Sequence, residues 1–165
     1  MPLVYADSSA LFAYLHPNDE FSIVVDAAVQ KDSPDFVYWA WLRYELRHNL
    51  RMARTDADGE VAWQALRASE KTAARLRWQG ELTADKMLDA AEELSTEKAR
   101  GIVCGSGDYL HVAAARRLNL LSGIDAFWTC DAAQAKLARD AGLKTRLFKS
   151  GRSRTADDAD GERKF

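Results

Sequence analysis

The chain has 165 residues, 47% of them apolar and 29% charged, a balance that suits one packed domain and argues against bulk disorder. No apolar run reaches the roughly 20 residues of a membrane span, and Met1-Pro2-Leu3-Val4-Tyr5 has no basic segment of the secretory kind, so a cytoplasmic protein with no membrane partner is expected. A formal net charge of −2 weighs against a uniformly basic nucleic-acid-binding surface, but Lys and Arg crowd residues 43–77 while 81–97 is rich in Asp and Glu.

Taken in chain order, Leu3–Ala6 reads as a short buried strand, Asp7-Ser8-Ser9 as a turn and Ala10–Leu15 as a helix capped by Asp7 or a serine. Pro17 and Asn18 stop that helix, and a second is predicted over 20–31. Pro34 opens a strand whose body is Phe36–Trp39. A helix over 41–54 follows, with Leu42, Leu46, Leu50 and Ala53 on its core face. Thr55–Gly59 is a loop, and helices are expected over 60–79 and 83–99. Gly101–Cys104 looks like a strand fragment, Gly105-Ser106-Gly107 a turn, and Asp108 the opening of a helix to about 118. Ala126–Thr129 is a strand, Asp131 caps the next helix, Gly142 helps to stop it, and Thr145–Phe148 is the last strand. This organisation gives a single α/β domain over 1–148, with a parallel sheet of about four to five strands flanked by helices, and a disordered tail over 149–165.

Ligands of such sheets bind beyond the carboxyl ends of the strands, at the switch in strand order. Asp7 and Asp131 fall just there, and Asp108 starts a helix after a glycine turn. Each alone is equally well read as a helix cap. Glu45 lies beside the Leu42/Leu46/Leu50 stripe, where a carboxylate needs a partner, either an arginine or the other acids. Gathered together, the four would repel: two unit charges about 4 Å apart cost roughly 4 kcal/mol at an effective dielectric near 20. Such a cluster calls for protons or a cation, and oxygen-only ligands favour Mg2+ or Mn2+. Asp125 is excluded because a strand separates it from Asp131, which places it roughly 20 Å away at about 3.3 Å per residue.

Four short blocks, within residues 2–148, resemble the PIN-domain nucleases. They are Val4-Tyr5-Ala6-Asp7-Ser8-Ser9-Ala10-Leu11, Tyr44-Glu45-Leu46, Gly107-Asp108-Tyr109-Leu110-His111-Val112-Ala113-Ala114-Ala115, and Trp128-Thr129-Cys130-Asp131 with Ala141-Gly142-Leu143. The resemblance implies a PIN-like fold and a metal-dependent endoribonuclease. It implies metal ligation by Asp7 and Asp108, completed by Glu45 and Asp131 directly or through water, with Thr129 and Ser8 or Ser9 orienting the carboxylates. It also implies the toxin role of VapC-like proteins, a cognate antitoxin and a homodimer. The stretch between Glu45 and Asp108 is longer than in the most compact members, and the acidic Asp157-Asp158-Ala159-Asp160 has no counterpart.

Other features have plainer readings. Gly105-Ser106-Gly107 lacks the Gly-Lys-Ser/Thr ending of a phosphate loop. Cys104 and Cys130 form no CxxC pair and read as buried, reduced thiols. His111 reads as a packed or hydrogen-bonded helix residue, with an RNA contact or proton transfer as the alternative. Arg43, Arg47, Arg51 and Arg54 form a stripe turned away from Glu45, whereas Arg67, Lys71 and Arg75 form a second stripe expected to follow an RNA backbone. Trp128 is expected in the core, and Trp63 and Trp78, both placed on helices, at a partner surface or in the core. A non-catalytic RNA- or protein-binding module is the competing reading. A phosphorylated receiver-like domain is disfavoured, since Lys144 precedes the last strand instead of following it.

Overall fold

A computed structural model of the chain describes residues 1–98 and 103–150. Strand β1 (Leu3–Ala6) leads to helices α1 (Ser8–Leu15) and α2 (Ser22–Asp32), then to β2 (Asp35–Tyr38). Helices α3 (Ala40–Ala53) and α4 (Ala57–Thr72) lead to β3 (Leu76–Trp78). Helices α5 (Ala84–Lys98) and α6 (Ser106–Leu121) lead to β4 (Ala126–Thr129), and α7 (Ala132–Asp140) to β5 (Thr145–Leu147). The five strands are all parallel, in the order β3-β2-β1-β4-β5.

That order divides the helices. From β1 the chain steps outward to β2 and β3, then crosses back to β4 and steps outward to β5. Right-handed crossovers put the two series on opposite faces. The packing agrees: α1 touches α2, α3 and α4, while α6 touches α5 and α7. The reversal lies between β1 and β4, which makes their carboxyl ends the switch point.

The central strands are apolar on both faces, as a covered parallel sheet requires. Tyr5, Phe36, Val37, Phe127 and Trp128 are buried, and Leu42, Leu46 and Leu50 bring one face of α3 onto this layer. Truncating one such leucine to alanine costs about 2–5 kcal/mol.

The α/β architecture and the parallel sheet are as the sequence predicts. The expected helix over 60–79 is corrected: α4 stops at Thr72 and Leu76–Trp78 is an edge strand. The break uses left-handed backbone at Ala73 and Arg75 (φ 52° and 58°) with no glycine to announce it. The expected loop over 55–59 is also shortened. Asp56 caps α4 by accepting the Gly59 N–H, and Gly59 lies so close to the Ala53 carbonyl that a Cβ would sit 1.8 Å from its oxygen. Of the strand fragment expected at Gly101–Cys104, residues 101–102 lie outside the described residues, and Val103 and Cys104 are in no strand. The tail from 151 onward lies outside them too. No helix among the described residues is long and apolar enough to cross a membrane.

Candidate active site

Because every strand runs the same way, the residues that leave β1, β2 and β4 emerge at one edge, where α1, α3 and α7 begin. Asp7 and Asp131 are the caps of α1 and α7 and accept the N–H groups of Ala10 (2.9 Å) and Gln134 (2.8 Å). Asp108 is not the cap of α6 but sits in its first turn, where it accepts the Gly105 N–H at 2.8 Å. The helix ends lend partial positive charge to this edge. Capping and a place in the acidic cluster are therefore combined in Asp7 and Asp131.

Asp7 is the buried member. Its Oδ1 accepts from the Ser9 hydroxyl at 2.7 Å, and Ser9 Oγ in turn accepts the Cys130 N–H at 3.0 Å. Between Ser8 and Ser9, it is thus Ser9 that reaches the carboxylate. Thr129 Oγ1 lies 2.7 Å from Asp7 Oδ2 and 2.9 Å from Gln134 Oε1, and accepts the Asp131 N–H at 2.9 Å. One hydroxyl proton cannot serve two acceptor oxygens. A proton on Asp7 Oδ2, donated to Thr129 while Thr129 donates to Gln134, satisfies every atom. Burial pushes the Asp7 carboxyl above its ordinary value, in the same direction. Burial also raises Asp108, with Asp131 and Glu45 adding to it against the Gly105 hydrogen bond.

Gln134, which the sequence reading missed, ties the centre together: its Nε2 donates to Asp108 Oδ1 at 3.0 Å. Its position in the first turn after Asp131 was the available signal, since that turn faces the switch point. Among the described residues Glu45 finds neither an arginine nor a lysine. Its Oε2 lies 2.5 Å from His111 Nε2, and His111 Nδ1 lies 3.0 Å from the Tyr5 hydroxyl. Of the two readings of His111, the packed, hydrogen-bonded one is what the fold contains, since the ring is buried.

The second basic stripe is not brought to this edge. Arg75 precedes β3 at the opposite end of the sheet and donates to the Pro34 carbonyl, and Arg67 donates to Glu70. Lys71 is exposed in the last turn of α4. Of the first stripe, Arg43 lies over Trp78, while Arg51 and Arg54 join Arg67 around the Trp63 ring. Asp125 accepts the Leu3 N–H at the amino end of β1, away from the site as expected. The thiols offer no nucleophile: both are half-buried, and burial, with the Asp7 charge adding, pushes Cys130 up to about 12.

The donor chemistry fits a hard divalent cation, four carboxylates with a threonine and a glutamine behind them. Asp7 and Asp108 would hold it, with Glu45 and Asp131 at its margin. Among the described residues no three His, Cys, Asp or Glu side chains are already closed to metal-ligand spacing. Gln134 occupies Asp108 Oδ1 and His111 occupies Glu45 Oε2. The sequence matches no protein-family model and no curated protein.

Proposed function

We propose that the chain is a metal-dependent endoribonuclease of the PIN type, acting as the toxin of a type II toxin–antitoxin pair. The observation that carries the nuclease reading is the gathering of Asp7, Asp108 and Asp131 around Thr129 and Gln134 at the β1/β4 switch point, with Glu45 near enough for its charge to act on Asp108. Two of these carboxyls are pushed upward by burial, and no arginine or lysine is paired with any of the four among the described residues. Capping alone does not require the burial that raises the Asp7 carboxyl, and a cation there would offset it. Magnesium or manganese bound there supplies an activated water and offsets the charge that builds on a phosphate. Asp7 and Asp108 would hold it and Glu45 and Asp131 would orient water beside it, while Ser9 and Thr129 keep Asp7 in place and Gln134 keeps Asp108 and Asp131. Along α3 beside Glu45, Trp41 lies tilted against Tyr44 and Tyr44 stacks on His48, and these rings offer faces for unpaired bases. The toxin role, the cognate antitoxin and a homodimer rest on the resemblance of the four sequence blocks.

One observation favours a non-catalytic RNA- or protein-binding module instead: Gln134 and His111 already occupy oxygens that a cation would use. Cleavage of a mixed tRNA and rRNA pool separates the two readings. The purified protein is assayed with Mn2+, with Mg2+ and with EDTA, beside Asp7→Asn and Asp108→Asn. Cutting that needs metal and disappears in both variants is expected. RNA left intact by a protein that also binds no Mn2+ in calorimetry would favour the binding module.

A further inference from the structure

A buried chain of hydrogen bonds reaches Glu45 from the centre of the sheet. The Trp39 indole N–H, which can only donate, gives its proton to the Tyr5 hydroxyl at 2.8 Å. Tyr5 is fully buried on β1, so its hydroxyl proton needs an acceptor within the protein. Among the described residues that proton has one acceptor in reach, His111 Nδ1 at 3.0 Å. An accepting Nδ1 puts the imidazole proton on Nε2, which faces Glu45 Oε2. The reverse arrangement, with Nδ1 donating, would give the Tyr5 oxygen two donors and strand its hydroxyl proton inside the core. Every member of the chain therefore has its direction fixed by Trp39.

The other oxygen of Glu45 is treated differently. Oε1 lies against Gly107, in the first turn of α6, where an added Cβ would be 3.2 Å from it and 3.9 Å from Trp41 Cζ2. Glycine inside a helix costs about 1 kcal/mol relative to alanine. Here its bare Cα leaves room for Oε1 one residue before Asp108.

We propose that Trp39, Tyr5 and His111 are a positioning relay for Glu45, which clamps Oε2 while Gly107 leaves Oε1 open toward Asp108 as the oxygen that serves the metal and its water. This rests on the nuclease reading above. His111 is a positioning residue: it acts on the reaction only through Glu45. The relay also explains why a glutamate at this place needs no arginine. A guanidinium would neutralise the carboxylate, whereas an imidazole N–H orients it and leaves its charge to the cation.

The test combines three variants with a readout of the ring itself. In histidine-labelled protein, 15N NMR should find His111 with its proton on Nε2, and Glu45→Gln should move that resonance while leaving those of His16 and His48 in place. His111→Leu should weaken Mn2+ binding in calorimetry and lower kcat by about 10–100-fold, the usual cost of losing an outer partner of a metal ligand, with little change in KM. His111→Gln, which keeps a donor toward Glu45, should recover most of that loss. Gly107→Ala, a change that favours the helix, should keep the melting temperature yet lower Mn2+ affinity about tenfold by crowding Oε1. A proton found on Nδ1 would overturn the relay. So would wild-type levels of metal binding and cleavage in folded His111→Leu, or in folded Gly107→Ala. Wild-type protein that neither binds Mn2+ nor cuts RNA would overturn the nuclease reading and the relay with it, so the two failures are distinct.

Discussion

On the α4 flank of α3, the Glu70 carboxylate takes two hydrogen bonds from Arg47 (2.8 and 2.7 Å), one from Arg67 (2.7 Å) and one from the Tyr38 hydroxyl (2.6 Å). On the opposite flank, Glu45 faces His111, and beyond it Asp7 and Asp108 meet only neutral donors. Burial alone would raise Glu70, but the hydrogen bonds of Arg47 and Tyr38 outweigh it and hold that carboxyl below its ordinary range. Burial wins at Asp7 and Asp108, and both are raised. The same helix thus separates an acid compensated by arginines from acids hydrogen-bonded without an arginine or lysine among the described residues. The first acid contributes to stability, whereas the second group is desolvated at the switch point with no cationic side chain to offset it, at a cost to stability, as in sites that act on external ligands.

The largest expected effect breaks that contrast at Asp7. Asn at this position keeps an oxygen for Ser9 and Ala10 and gives Thr129 a permanent N–H in place of the carboxyl proton. Asp7→Asn should therefore lower cleavage by more than about 100-fold, beyond the usual loss from an outer partner. In EDTA the same variant should melt no lower than wild type, with a gain of up to about 1 kcal/mol. A variant that loses both activity and stability would show that the Asp7 carboxyl supports the fold as Glu70 does and that the contrast is false.

Glu70→Gln should do the reverse. It leaves two guanidinium groups short of a charged partner and should cost about 1–2 kcal/mol in urea unfolding, the exposed ends of the arginines keeping it below a fully buried pair. Cleavage per folded molecule should not change. The two sites also carry opposite pH signatures. Glu70 is depressed, so its contribution is present above the ordinary glutamate range and is lost as pH falls through its folded value. Asp7 is raised, so the folded state is favoured below the ordinary aspartate range and loses that advantage as pH rises through the raised value. In EDTA, the Glu70→Gln deficit should shrink toward acid, and the Asp7→Asn gain should grow toward neutral pH. Parallel curves for the two variants would remove the distinction.

How much of this was legible in the sequence depends on what each residue's neighbours are. Leu3–Ala6 and Ala126–Thr129 announce themselves, because strands covered on both faces must be apolar throughout, and the aspartates that follow them are placed by topology alone. β3 was hidden because Leu76-Arg77-Trp78 is a short, exposed edge that continues the helical spacing of α4, and the left-handed turn before it uses Ala73 and Arg75. Glu45 could be read as needing a partner, but not which one, since His111 is 66 residues away and only the packing of α6 joins them. Gln134 had the weakest signal: a polar residue in a first helical turn is ordinary, and its burial follows from its hydrogen bonds to Thr129 and Asp108.

The smallest expected effect concerns the α4 flank as an RNA surface. The spacing of Arg67, Lys71 and Arg75 suggests a phosphate track, but Arg67 is engaged by Glu70 and Trp63, and Arg75 by the Pro34 carbonyl at the far end of the sheet. Arginines committed to the fold contribute little counterion release on binding. Changing all three to alanine should therefore leave RNA affinity within about threefold and the salt dependence of binding nearly unchanged, since each phosphate that the protein ceased to neutralise would lower the log–log slope by about 0.7 for a single strand. A slope reduced by about 2 would mean that these side chains leave their partners for the RNA. The α4 flank would then be part of the substrate surface, and the division drawn at α3 would hold for the free protein only.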